Sequence, residues 1–151
     1  MAGPAETLSF VARRLIQFEL RFAQAEPTRK RAASALFTQI AASLQVLAAD
    51  LGRDQLPHEA CRELVFYSTK LKECGGEELG SVEAERLANA MGDASDKEKI
   101  YLEYRSSPDR KYLTEELEKA AILIQALANG IYVAPPPQAD LVESPPDAAF
   151  P

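Results

Sequence analysis

The chain has 151 residues, which is enough for one domain with a buried core, and no second domain is required. It contains only two cysteines and one histidine, so a disulfide framework and a zinc site are both excluded, since each needs more ligands. The formal net charge of −6 hides an asymmetry, because residues 1–53 carry seven Lys and Arg residues against four Asp and Glu residues. We interpret this as attraction between a basic first part and an acidic second part within the fold, since a nucleic-acid footprint normally needs a denser basic surface.

The first predicted helix follows Gly3-Pro4 and ends near Pro27. Its apolar seam steps by three and four residues and comprises Leu8, Val11, Leu15, Phe18 and Phe22. Ile16 and Leu20 lie nearly opposite that seam, and a polar stripe containing Arg14 and Arg21 separates the two faces. The pattern indicates a helix that is covered on two sides, so we predict that these four residues bind a partner.

The second predicted helix contains the longest uncharged stretch of the chain, from Ala32 to Ala49. Its seam comprises Ala33, Leu36, Phe37, Ile40, Leu44, Leu47 and Leu51. Alanines fill its flanks, which favours a central position in a bundle. A membrane span is the alternative, but Ser, Thr and Gln side chains dilute the hydrophobicity of the stretch, so we expect no membrane.

Three basic residues, Arg29, Lys30 and Arg31, stand in the first turn of this second helix, after Thr28 as the predicted N-cap. Positive charge at this end opposes the helix dipole, which raises the hypothesis of an anion-binding site. Solvated basic residues at a helix corner are the commoner explanation of such a run.

The middle of the chain predicts shorter helices. A third helix opens near Leu56-Pro57 and ends at Gly75-Gly76, and a linker over residues 77–80 leads to a short helix from Ser81 to Gly92. A capping box over residues 95–98 heads a further helix through Tyr104. Residues 83–105 match a helix-turn-helix only in part, because acidic residues open the would-be recognition helix.

The last predicted helix runs from Ser107 to about Asn129, and Gly130 ends it. Its seam comprises Leu113, Leu117, Ala120, Ile124 and Leu127. Ile122 points the opposite way, which adds it to the predicted partner-binding residues. From residue 134 to residue 151 the chain is rich in proline and acidic, and we predict a disordered tail whose deletion leaves the melting temperature almost unchanged.

Residues suited to catalysis are scarce. His58 and Cys61 are three residues apart on one helix face, but no orienting third group or oxyanion pocket accompanies them. We therefore predict no catalytic residue, no cofactor and no metal site. The N-terminal segment does not have the basic-then-apolar order of a signal peptide, so we expect a reducing, cytoplasmic setting with both thiols free.

Together these patterns predict an all-α, single-domain bundle of five or six mostly antiparallel helices over residues 5–133. The first functional hypothesis is a non-enzymatic interaction module, an adaptor or regulatory subunit, whose partner is another protein or a second copy. The runner-up is a small-molecule-binding or catalytic domain with an aromatic pocket. Its proposed lining is Phe18, Phe22, Phe37, Phe66 and Tyr67. The third is nucleic-acid binding through the basic N-terminal helices, which we rank last. No segment matches a family motif closely enough to name a family.

Overall fold

The computed structural model describes residues 4–53, 55, 57–96 and 107–131 of the chain. Every regular element in these ranges is a helix, which confirms the predicted all-α bundle. The elements are α1 (Pro4–Arg14), a 3-10 turn (Leu15–Phe18), α2 (Glu19–Ala23), α3 (Pro27–Gly52), α4 (His58–Ala94) and α5 (Ser107–Ile131). The predicted tail over 134–151, and the helix predicted to end at Tyr104, lie outside the described residues.

The helix α3, which contains the uncharged stretch from Ala32 to Ala49, packs against α5, α4 and α2. Each residue of its predicted seam is buried, and the fully buried Phe37 ring meets the Phe22 ring edge to face, with ring centres 5.5 Å apart. Two buried serines of α3 hold its neighbours by hydrogen bonds. The Ser34 hydroxyl donates to the carbonyl oxygen of Ala128 at 3.0 Å, and the Ser43 hydroxyl donates to the Glu63 carboxylate at 2.9 Å. The polar residues that dilute this stretch therefore connect α3 to α5 and α4.

By length and composition, α3 is also apolar enough to cross a membrane. In the bundle, 56% of its most apolar 18-residue window is buried within the protein. Such burial is typical of a core helix, which passes the same length and composition test.

The helix α4 reverses direction at Gly80, where φ is +82° and ψ is 160°. A straight helix would place its two ends about 55 Å apart. In the structure, Ser95 after the end of α4 and His58 at its start line the same cleft. The part of α4 before Gly80 and the part after it therefore form an antiparallel hairpin, and glycine is required at the corner because other residues rarely adopt this backbone conformation.

Contacts between distant residues give the helix directions. Arg29 meets Glu78 and Ser43 meets Glu63, so α3 runs antiparallel to the first part of α4. Ser34 near the start of α3 meets Ala128 near the end of α5, and the two helices pack extensively, so they also run antiparallel. In contrast, α1 and α2 run parallel to α5, since Glu6 meets Tyr112 at one end and Glu19 meets Gly130 at the other. Successive long helices thus alternate in direction, as predicted for a mostly antiparallel bundle.

Several predicted boundaries are wrong. The first helix is not continuous, because a 3-10 turn separates α1 from α2, although no proline or glycine marks the change. The residue before α3 is Glu26, not Thr28, since Pro27 takes the first helical position, where its fixed φ fits. Gly75-Gly76 does not end a helix, and the reversal comes at Gly80 instead.

One further boundary needs correction, because the helix α5 continues through Gly130, which is not its end. A Cβ at Gly130 would meet the Glu19 carboxylate, so this glycine permits close approach of α2 to α5. Ser95 is the C-cap residue of α4, and its hydroxyl donates to the carbonyl oxygen of Met91 at 2.8 Å. Glu98, which the predicted capping box needs, lies outside the described residues, so the box stays a prediction.

Candidate functional site

The described part of the chain exposes several large apolar side chains. The side chain of Ile16 in the 3-10 turn is 47% exposed, and that of Leu20 on α2 is 66% exposed. On α5, the side chain of Ile122 is 64% exposed. By contrast, the residues of the α5 seam are fully buried. The structure thus leaves the apolar members of the predicted partner-binding set outside the core, whereas their binding role stays a prediction.

Phe10 adds a fourth apolar side chain that sequence reasoning missed, and it is 57% exposed on α1. We call the exposed apolar side chains of Phe10, Ile16, Leu20 and Ile122 together the outer face. Phe10 lies about 120° from the middle of the seam, as far as Ile16 but on the opposite side, which is the side from which Arg14 contacts α4. The angular test that selects Ile16 would therefore have found Phe10 from the sequence.

Two contacts relate α1 and α2 to the parallel helix α5. The Tyr112 hydroxyl donates to the Glu6 carboxylate at 2.6 Å near the starts of α1 and α5. Towards the other end, Glu19 lies beside Gly130, although Glu19 follows Glu6 by 13 residues and Gly130 follows Tyr112 by 18. The two contacts therefore differ in register by five residues, about 7.5 Å along a helix, and equal spacing from the first contact does not place Ile16 and Ile122 at one height.

Exposed charges differ between the two halves of the outer face. Between Thr7 and Gln24, the exposed charged residues are Arg13 and Arg21. On α5, exposed Glu118 and Glu115 precede Ile122 by one and two turns, and exposed Lys119 donates to the Glu116 carboxylate at 2.8 Å. Lys111 is also exposed on α5 and lies within about 20° of Ile122 around the helix axis, so the α5 half carries both signs of charge, whereas the exposed charges of the α1–α2 half are basic.

Arg14, predicted to bind a partner, is engaged within the protein. Its guanidinium donates to the Glu83 carboxylate at 2.8 Å, across from α1 to the second part of α4. The hydrogen bond to Glu83 and the negative charge of that carboxylate raise the pKa of Arg14. Arg21 is exposed, with its guanidinium 5.5 Å from the Phe18 ring centre and one long contact of 3.4 Å to the Glu78 carbonyl oxygen. Of the two arginines, Arg21 is the one that faces solvent.

The predicted anion site is partly occupied by the protein's own carboxylates. Arg29 donates to both Glu78 oxygens at 2.7 and 3.0 Å and lies 3.3 Å from Glu77. The hydrogen bonds from Arg29 lower the pKa of Glu78, and those to Glu78 raise the pKa of Arg29. Lys30 is half-buried and Arg31 is exposed. Binding of an external anion by these three residues stays a prediction, and for Arg29 it would require displacing Glu78.

Arg14 and Arg29 both contact α4 close to its reversal at Gly80. We call Arg14, Arg29, Glu77, Glu78 and Glu83 the corner cluster, because its carboxylates flank Gly80 within three residues. The cluster joins basic residues from the first part of the chain to acidic residues from the second part. At the corner cluster, the charge asymmetry of the sequence thus serves contacts within the fold.

The aromatic residues proposed for a pocket occupy different environments. Phe22 and Phe37 are fully buried and belong to the core, whereas Phe66 is 54% exposed. Phe66 contacts Tyr67 with ring centres 5.8 Å apart, and Lys70 lies 5.5 Å from the Phe66 ring centre. The structure therefore distributes this set between the core and the surface of α4.

An open cleft of about 450 Å³ lies at the other end of the molecule, where α4 starts and ends. Its described lining comprises His58, Cys61, Arg62, Val65 and Ser95. Cys61 and Cys74 are both free thiols, and Cys61 is buried. His58 and Cys61 thus share one cleft, as their spacing on a helix implies.

Within the described ranges, no group of three or more His, Cys, Asp or Glu side chains could hold a metal ion. No protein-family model matches the chain, and no curated protein and no solved structure is similar to it at the level of significance that would support a relationship.

Proposed function

We propose that this protein is a non-enzymatic interaction module, an adaptor or regulatory subunit, that binds a protein partner through the outer face. The observation that carries the proposal is the contrast on α5 between Ile122, which is 64% exposed, and Ile124 two residues later, which is fully buried. Burial of an Ile side chain stabilises by roughly 1.5–3 kcal/mol, so leaving it in water forgoes that gain unless a partner covers it. Clustered apolar side chains with a polar rim are typical of interaction sites.

The apolar area of the outer face suits a partner that binds reversibly. Four large apolar side chains contribute on the order of 5 kcal/mol or more when buried, before the cost of association is subtracted. Polar contacts at the rim and shape complementarity would have to supply the rest of a micromolar affinity, which corresponds to about −8 kcal/mol. We therefore expect a complex that forms and dissociates readily.

The test is capture of partners from the native cell with matched charged variants of the tagged protein. Leu20→Glu and Ile122→Glu each place a carboxylate on the outer face, and Val82→Glu is the control because Val82 is 62% exposed on α4. We expect the parent and Val82→Glu to retain a common partner that both outer-face variants lose, with equal melting temperatures throughout. Retention of every partner by Leu20→Glu and Ile122→Glu would refute this function.

A second candidate function is small-molecule binding in the cleft beside His58 and Cys61. The observation in its favour is the volume of about 450 Å³, which is in the range of ligand pockets. A metabolite screen by thermal shift tests it, since a ligand that binds the folded state raises the melting temperature. The effect should disappear in Arg62→Ala if the cleft is the binding site.

A further inference from the structure

We infer that Gly80 is the hinge of a segment exchange, in which α4 straightens and the segment after Gly80 (residues 81–131) packs against the segment before it in a second copy. The contacts that hold the exchanged dimer are those that the monomer already makes, so the inference does not depend on the outer face. The way in which α4 reverses carries it. Between His58 and Ala94, only Gly80 has non-helical backbone angles, and no loop separates the two parts of the helix.

A hinge of one residue connects two simple states of α4. At φ +82° and ψ 160° the chain reverses, whereas at ordinary helical angles α4 becomes a straight helix of 37 residues, about 55 Å long. Glycine adopts both conformations readily, because it has no Cβ to clash at positive φ. Very short connections between packed elements favour exchange between copies, since one local change at the connection releases the whole segment.

A straight α4 does not cover one core with both of its parts. Buried residues of the part before Gly80 include Leu64 and Leu71, and those of the part after it include Leu87 and Ala94. On one continuous helix, these two pairs would lie about 35 Å apart along the axis and point about 140° apart around it. The second pair would then be out of reach of its own core, and the same apolar surface is offered by the segment before Gly80 in a second copy.

The segments before and after Gly80 complete one core between them. The most extensive helix packing in the described ranges joins α3, before Gly80, to α5, after it, and α1 packs against α5 as well. Hydrogen bonds also cross the hinge, from Ser34 to Ala128 and from Tyr112 to Glu6. Each segment therefore needs the other, and a second copy supplies it with identical contacts.

The first experiment refolds the full chain from urea at about 3 μM and about 300 μM and measures the molecular mass by sedimentation. Exchange requires the segment after Gly80 to leave the core, so it accompanies refolding, and the dimer should persist on dilution. The monomer has a mass of 16.5 kDa, so a species of twice that mass, 33 kDa, should appear after refolding at the higher concentration.

The hinge variant is Gly80→Ala, with Gly92→Ala as the matched control. Alanine fits the straight helix but not the reversal, and each dimer contains two hinges, so Gly80→Ala should raise the dimerisation constant by roughly a thousandfold. Gly92 is helical in both states, so Gly92→Ala should leave the constant close to that of the parent. A Gly80→Ala protein that stays monomeric at the higher concentration overturns the inference.

A pair of charge reversals shows whether the segments change partners. Arg14 lies before Gly80 and Glu83 lies after it, so their ion pair at 2.8 Å would join two copies in the exchanged dimer. In a monomer, Arg14→Glu and Glu83→Arg each place like charges at this contact. An exchanged dimer with one copy of each variant again pairs arginine with glutamate at both contacts. Refolding the two variants together, each with its own tag, should therefore yield the mixed dimer in roughly tenfold excess over either homodimer.

Arg29 and Glu78 provide the control, because they form an ion pair at 2.7 Å but both lie before Gly80. Exchange keeps this pair within one copy, so refolding Arg29→Glu together with Glu78→Arg should show no preference for a mixed dimer. An equal preference in both combinations, or none in the combination of Arg14→Glu with Glu83→Arg, overturns the inference. A dimer formed through any other surface gives no such preference and overturns it as well.

Discussion

The corner cluster and the outer face draw on the same N-terminal helices but use their side chains in opposite ways. At the corner cluster, Arg14 and Arg29 leave the first part of the chain to meet Glu83 and Glu78 on α4. On the outer face, Leu20 and Ile122 meet no part of the core. At the corner cluster, charged side chains join the helices, whereas the apolar side chains of the outer face stay exposed to solvent.

The physical reason for the difference lies in the environment of each group. The Glu83 side chain is only 9% exposed, so its charge must be neutralised by Arg14 inside the bundle. One oxygen of Glu83 and the Nε atom of Arg14 are buried without a hydrogen-bond partner, so even this pair is incompletely satisfied. An exposed isoleucine carries no such requirement and can stay in water at modest cost. Arg14 and Arg29 therefore contact carboxylates of the same chain, whereas Ile16 and Ile122 stay exposed.

The largest expected effect separates core from outer face on a single helix. Ile124→Ala should destabilise the protein by about 3 kcal/mol, because it removes buried methyl groups and leaves a cavity. Ile122→Ala should change the free energy of unfolding by less than about 0.5 kcal/mol, as is usual at exposed positions. Urea unfolding of the dilute protein measures both. Equal losses would show that Ile122 belongs to the core and would remove the contrast.

The second effect concerns the reversal beside the corner cluster. Gly80→Ala should cost about 2 kcal/mol, because an alanine at φ +82° and ψ 160° is strained even though space is available. Gly92→Ala is the control, since Gly92 lies in α4 with open space around it, and alanine there should stabilise by up to about 1 kcal/mol. Thermal melts that shift in the same direction for both variants would contradict a positive φ at Gly80.

A smaller effect is expected from the buried charge of the corner cluster. Glu83→Gln should lower the melting temperature, because it leaves Arg14 facing a neutral group. Glu77→Gln should have much less effect, since the Glu77 side chain is 78% exposed. Calorimetry of the two variants provides the comparison. If Glu77→Gln is the more damaging change, burial does not determine the importance of these pairs.

The smallest effect is the pH dependence contributed by Glu78. Its pKa is lower in the folded protein because Arg29 donates hydrogen bonds to it, so the stabilisation is present above the pKa of the unfolded chain. It is lost as the pH falls through the lower, folded pKa. The stability difference between the parent and Glu78→Gln should therefore shrink between about pH 5 and pH 3. A difference that stays constant over this range would contradict the role of ionised Glu78.

Periodicity predicted the buried faces well, and it predicted single boundaries poorly. The seams of α3 and α5 are buried at every predicted residue, because a 3.6-residue repeat is a local property of the sequence. Gly75-Gly76 has the composition of a helix stop, yet α4 passes through it and turns at Gly80. Which glycine becomes a corner depends on where the following helix can pack, and that is not a local property.

The exposed residues of the candidate site were predicted only in part, because local periodicity does not determine how the helices pack. Ile16, Leu20 and Ile122 lie off their seams, and angle alone places them away from the core. Angle does not show whether another helix covers such a residue, and the structure was needed to show that they are exposed. Phe10 was overlooked although the angular test applies to it equally.

By itself, the sequence determined that this chain is helical, which faces of α3 and α5 are buried, and that its basic and acidic parts are separate. Only the tertiary structure decided that α1 runs beside α5 in parallel, that α4 folds back at Gly80, and that Arg14 and Arg29 find their carboxylates on α4. Helix formation and amphipathicity depend on residues three or four positions apart. The pairing of charges depends on residues 49 and 69 positions apart, whose meeting is set by how the helices pack.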